Sequence, residues 1–122
     1  MLIKADRTTS EEGWRVEDFP SILDEAIKYK LACFGGQFQF RGPIGVAEMY
    51  WLNADSEPRK EGELWEQYVK RSCREVRDGF DILCRSTNFI DEAKNWEHIT
   101  KAVKDGSNPL EHLYFVAYFE EE

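Results

Sequence analysis

The chain has 122 residues, and its 16 Lys and Arg against 24 Asp and Glu leave a formal charge of −8. One domain is expected at this length, and 42% hydrophobic with 14% aromatic residues supply a core, which excludes wholesale disorder. The acidic balance argues against duplex DNA and anionic membranes as partners, because neutralising phosphate requires net Lys and Arg at the contact face.

No run approaches the ~18 apolar residues of a membrane span, and the opening Met1 to Asp6 lacks the apolar stretch of a signal peptide. A cytoplasmic protein is therefore expected. Cys33, Cys73 and Cys84 are odd in number and widely spaced, which reads as reduced thiols rather than a disulfide scaffold. Cys73 and Cys84 fall on one predicted helix, about 16 Å apart along its axis, too far for a bridge.

Leu2 to Ala5 reads as a short terminal or edge strand, followed by the polar loop Asp6 to Gly13. Trp14 and Val16 alternate with Arg15 and Glu17, as a short strand or a lid over the core would. A helix is predicted from Pro20, with Ile22, Leu23, Ala26, Ile27 and Leu31 on one stripe. Gly35-Gly36 is expected to close it as a left-handed C-cap. A glycine pair that follows a helix is also wrongly placed to cradle phosphate.

Gln37 to Arg41 alternates, Gly42-Pro43-Ile44-Gly45 is turn chemistry, and Val46 to Leu52 is a second strand, together an antiparallel hairpin. Asn53 to Lys60 is a polar connector. A long helix is predicted over Glu63 to Arg85, its buried stripe running through Leu64, Trp65, Tyr68, Val69, Ser72, Cys73, Val76, Phe80, Leu83 and Cys84. Gly79 beside that stripe predicts a close approach to the sheet or a bend. Ser86-Thr87-Asn88 offers N-caps for a third helix carrying Phe89, Ala93, Trp96, Ile99 and Val103 inward and stopping at Gly106. After a turn at Gly106 to Pro109, Glu111 to Glu120 is the strongest strand, apolar or aromatic on both sides and therefore central.

The order β-α-β-β-α-α-β predicts one α+β domain over residues 1–122. It would hold an antiparallel sheet of about four strands with its helices packed on one face, a variant of the ferredoxin-like split β-α-β arrangement. Strand parity assigns Phe38, Phe40, Ala47, Met49, Trp51, Leu113, Phe115, Ala117 and Phe119 to the helix side. The opposite side receives Gln37, Gln39, Arg41, Glu48, Tyr50, Leu52, His112, Tyr114, Val116 and Tyr118. Amphipathic aromatics among hydrogen-bonding groups resemble an interface composition. Three uses stay open for this second face: covered by the chain's own segments, a docking or self-association surface, or one wall of a cleft. A single bulge would exchange the two sides beyond it.

Chemistry is sparse. Aromatic strands on an open sheet can stack RNA bases, but Arg41 is the only basic residue on this face. His98 and His112 lie in no catalytic motif, and no CxxC, HExxH or one-turn His pair marks a metal site, so no cofactor is expected. Lys70, Arg71, Arg74 and Arg77 each have an acidic residue four positions away, the pattern of a solvated helix face worth about 0.2–0.5 kcal/mol per pair.

The expectation is a non-enzymatic protein-binding module, specifically an inhibitor or immunity-type protein that neutralises a basic toxin or enzyme. Its partner-binding residues would be Glu11, Glu12, Glu48, Tyr50, Asp55, Glu57, Tyr114 and Tyr118, carboxylates for steering and aromatics for hot spots. The alternative is a homodimeric ligand-binding domain or small enzyme. There Arg41, Glu48, Tyr50, His112 and Tyr118 would line a cleft at the sheet face, with Glu48 or His112 for proton transfer and Arg41 for an anion.

Overall fold

Alternation of large apolar with polar residues in Gln37–Arg41 and Leu113–Phe119 builds the two inner strands of one sheet. The computed structural model describes residues 12–122 apart from 44, 105 and 107. In chain order the elements are β1 (Gly13–Arg15), α1 (Phe19–Lys28), β2 (Ala32–Gly42), β3 (Gly45–Asp55), α2 (Trp65–Ser86), α3 (Phe89–Ala93), α4 (Glu97–Lys104) and β4 (Leu113–Glu120). The four strands are antiparallel in the order β1-β4-β2-β3, so the expected α+β fold holds. The strand predicted over Leu2–Ala5 lies outside the described residues. Among the described residues, no helix is long and apolar enough to cross a membrane.

Strand order differs in detail from the expected arrangement. β1 takes one edge, and β4 enters between β1 and β2, completing a split β-α-β unit with the last strand in its gap. That placement follows from the two-sided apolar character of β4. Phe115 and Ala117 join the core on the helix side, while Val116 is buried on the other. Phe115 meets the rings of Phe19, Phe38 and Phe80 at centroid distances of 4.5, 4.9 and 5.1 Å. Trp14, on β1, reaches the same core and stands edge-on to Phe119 at 5.7 Å.

The first helix ends earlier than predicted. Lys30 adopts a left-handed φ of 58°, and the Leu31 N–H returns to the Ala26 carbonyl at 2.8 Å, so a lysine supplies the turn expected of glycine. Gly35 and Gly36 lie inside β2 instead. Any Cβ on Gly36 would be driven into the Val116 carbonyl and the Phe115 ring, so this glycine serves close strand approach rather than capping. The third helix is broken into α3 and α4. Across the break the Lys94, Asn95 and Trp96 N–H groups reach back three residues, and the Thr100 hydroxyl donates to the Ala93 and Trp96 carbonyls at 3.3 and 3.0 Å. His112 belongs to a 3-10 turn, Pro109–His112, ahead of β4 rather than to the strand.

α2 buries Tyr68, Val69, Ser72, Cys73, Val76 and Phe80 as predicted, whereas Leu64 stands exposed ahead of its first turn. Arg71 corrects the solvated-face expectation. Its guanidinium is buried between Glu63 and Glu75, at 2.7 and 2.9 Å, and donates to the Glu57 and Pro58 carbonyls. Glu66 pairs with Lys30 rather than Lys70, and Arg77 reaches across to Asp24 of α1.

Gly79 is where α2 crosses β3. A Cβ there would stand 2.9 Å from the Ala54 Cβ. Gly79→Ala would gain about 1 kcal/mol of helix propensity but force an overlap costing ~1–3 kcal/mol. A lower thermal midpoint is therefore expected for Gly79→Ala in the wild-type chain, and a higher one when the same change is made in an Ala54→Gly background.

Candidate functional site

Two irregularities in neighbouring strands shape the sheet face turned away from the helices. In β2, Cys33 pairs with Phe119 and Gly35 with Tyr118, leaving Phe34 as an extra residue. In β3, Phe38 pairs with Met49 but Gln37 with Asn53, so Tyr50, Trp51 and Leu52 are looped out together. Bulges re-aim side chains, and both of these lie towards the same end of the sheet. Phe34 is 48% exposed, Tyr50 68% and Trp51 47%. The second bulge also breaks local parity: Leu52, which alternation assigns to the far side, packs against the core, while Trp51 is half-exposed with its ring stacked on Trp96 of the helix layer.

Between the bulges the cross-strand row runs Tyr118, Gly35, Asp55. Gly35, at φ 141°, contributes no side chain to the row, and a Cβ there would collide with Asp55 and the Ala54 carbonyl. The missing side chain leaves a shallow depression of about 170 Å³ lined by Phe34, Gly35, Gly36, Gln37, Tyr50, Asn53, Asp55 and Tyr118. Tyr118 is 44% exposed at its rim. The Asn53 amide donates to the Tyr50 carbonyl at 2.8 Å and pins the larger bulge. Just beyond Asp55, the Ser56 hydroxyl donates to the Cys33 carbonyl at 2.6 Å and the Glu57 N–H to Glu75 at 2.9 Å. The connector is therefore tied down beside the depression.

The other end of this face is built differently. One row crosses all four strands: Arg15, Tyr114, Gln39, Glu48. Gln39 is buried, accepting from Arg41 Nε at 2.6 Å and donating to Glu48 at 3.3 Å. The Arg15 and Arg41 guanidiniums stand over the Tyr114 ring at 6.0 and 5.3 Å. Arg41 also lies against Gly13, where any Cβ would meet its guanidinium. His112 Nδ1 is 3.1 Å from the Arg41 carbonyl.

The predicted site residues thus fall into two groups. Tyr50, Asp55 and Tyr118 gather at the depression, Glu57 follows in the adjoining connector, and the Glu12 carbonyl accepts from Ala117 one residue before Tyr118. Arg41, Glu48, Tyr114 and His112 belong to the hydrogen-bonded end, so of the five residues of the alternative cleft Tyr50 and Tyr118 line the depression and Arg41, Glu48 and His112 do not. Glu11 lies outside the described residues. Sequence reasoning missed Phe34 and Asn53. The signal for Phe34 was the strand-compatible run Ala32-Cys33-Phe34 ahead of a glycine pair, which inside a strand marks a bulge or close approach.

The depression is smaller than the ~300–1,000 Å³ typical of small-molecule pockets. It has the size of one side chain, with aromatic faces for an aliphatic stem and a carboxylate for a cationic head. The thiols are poor nucleophiles. Burial pushes Cys73 and Cys84 up to about 11 and Cys33 higher still, so all three stay protonated at neutral pH. Among the described residues no cluster of His, Cys, Asp or Glu is arranged to hold a metal ion. Comparison with protein-family models, with curated proteins and with solved structures finds no match to this chain.

Proposed function

We propose that the chain is a non-enzymatic protein-binding module that captures a basic partner, as an inhibitor neutralising a basic toxin or enzyme would. The observation that carries this reading is the pair of bulges that expose Phe34 and Tyr50 beside Tyr118 and Asp55. The arrangement suits a Lys or Arg side chain of the partner, its stem on the rings and its charge at Asp55. The net charge of −8 attracts such a partner over longer range and speeds encounter. Proteins that grip nucleic-acid phosphates present Lys and Arg in this way, which makes them natural targets for an acidic inhibitor.

The test is capture from native extract on the immobilised chain. A basic protein should be retained at about 50 mM salt and released at about 500 mM, since screening weakens exposed charge attraction. The double substitution Tyr50→Ala with Asp55→Lys should abolish retention while leaving the circular dichroism spectrum unchanged. Recovery of nothing but the chain itself, as a salt-insensitive dimer, would contradict the proposal.

A further inference from the structure

β3 is an edge of the sheet: among the described residues no strand lies beyond it. It is eleven residues long, and a strand edge presents unpaired backbone N–H and C=O groups that template further pairing. Proteins usually guard such edges with Pro, Lys or short length. The β3 sequence, Gly-Val-Ala-Glu-Met-Tyr-Trp-Leu-Asn-Ala-Asp, contains neither Pro nor any basic residue, and its only charges are Glu48 and Asp55. Among the described residues the device that interrupts this edge is the Tyr50–Leu52 bulge, which leaves Gly45–Met49 regular against β2.

We propose that β3 accepts an extended, basic segment of the partner as an added strand along Gly45–Met49. This rests on the docking reading above and states how the partner is held. Main-chain hydrogen bonds would supply affinity, and alternate side chains of the segment would supply specificity. Charge selects the occupant. Glu48 lies in the paired stretch and Asp55 farther along the same strand, so Lys or Arg at alternate positions of the segment is matched. A second copy would bring like charges together, on chains that each carry −8.

The aromatic pair past the end of the regular stretch adds a platform. The Tyr50 and Trp51 rings are perpendicular, 5.2 Å apart, and Trp51 lies parallel to Trp96 at 6.5 Å. Trp51 is thus held in place before binding, which reduces the ordering cost, and its exposed face can take a cation. Tyr50, Asn53 and Asp55 also line the depression, so a segment on this edge lies beside the aromatic site.

The experiment uses the isotope-labelled full chain with three synthetic eight-residue probes. One alternates Lys and Val, one has the same sequence with every amide N-methylated, and one alternates Glu and Val. With the Lys-Val peptide, amide shifts and slowed exchange should be confined to Gly45–Trp51. Loss of the peptide's N–H donors or reversal of its charge should weaken binding at least about tenfold. Glu48→Lys should weaken Lys-Val binding about fivefold or more with the fold intact by circular dichroism.

Equal binding of the N-methylated peptide, perturbation centred on α2, or β3 amides protected by a second copy before peptide is added would each overturn strand addition. If the wild-type chain still retains a basic protein from extract after such a result, the docking reading stands and only its edge geometry is lost. If edge pairing is seen but no basic protein is retained, the docking reading is the one that fails.

Discussion

Phe115→Ala is expected to lower the free energy of unfolding by about 3–5 kcal/mol, the range for truncating a fully buried phenylalanine. Phe115 is inaccessible to solvent and touches three other phenylalanine rings, one each from α1, β2 and α2. No single neighbour can collapse into the space that its ring leaves, so most of the cavity term should be felt. A small domain has ~5–15 kcal/mol of stability in total, and the urea midpoint should fall by roughly 2 M. Phe115→Leu, which keeps much of the volume, should cost less than about 1.5 kcal/mol. The functional consequence lies on the opposite side of β4, where Tyr118 stands three residues further along. A chain in which β4 is loosened should lose partner retention together with its stability, whereas Phe115→Leu should keep both.

The second large effect concerns Arg71. Arg71→Ala removes a guanidinium that donates to Glu63, Glu75 and two backbone carbonyls of the connector, and about 2–3 kcal/mol of stability should go with these charge-assisted bonds. The same site sets an acid limit. Hydrogen bonding from Arg71, and secondarily from the Lys60 N–H, holds the Glu63 carboxyl down to about 2 from its ordinary 4.5. Burial opposes the charge on Glu75, but the Glu57 N–H and Arg71 outweigh it, and that pKa is lowered too.

Because these folded values are depressed, their contribution to stability is complete above about pH 4.5, where the unfolded carboxylates are ionised. It is lost progressively as pH falls towards 2. Unfolding followed by tryptophan fluorescence should show stability dropping across that window. Glu63→Gln should flatten the decline while lowering stability at neutral pH. A Glu63→Gln profile that fell as steeply as the wild type would place the acid sensitivity elsewhere.

The inner side of the sheet was legible in the sequence because period-two alternation in Phe38, Phe40, Ala47, Met49, Leu113, Phe115 and Ala117 allows only one partition. α2 was legible by its 3.6 period, and Gly79 by the cost of glycine inside a helix. Three features were not legible, each for its own reason. Gly35-Gly36 was ambiguous because glycine serves both positive φ and close approach, and only the tertiary contact with Val116 and Phe115 decides between them. The run Tyr50-Trp51-Leu52 contains no glycine or proline to announce a bulge, so parity failed at Leu52. Arg71 showed its local partner Glu75, but Glu63 reaches it only because the connector folds back. Of the site itself, Tyr50 and Tyr118 were readable as aromatic groups on the far face, whereas Asp55 was read as a carboxylate of the connector and belongs instead to the last position of β3. Their assembly around an empty glycine position depended on register, which alternation alone does not fix.

Docking of a basic partner on the bulged, aromatic end of the sheet would cover a defined set of backbone segments. Hydrogen-exchange mass spectrometry of the chain, alone and in complex with the basic protein retained from extract, tests it most directly. Slowed exchange is expected in segments covering 33–37, 45–55 and 116–119, with 66–86 of α2 unchanged. Protection concentrated on α2, with those strand segments exchanging as they do in the unbound chain, would contradict it.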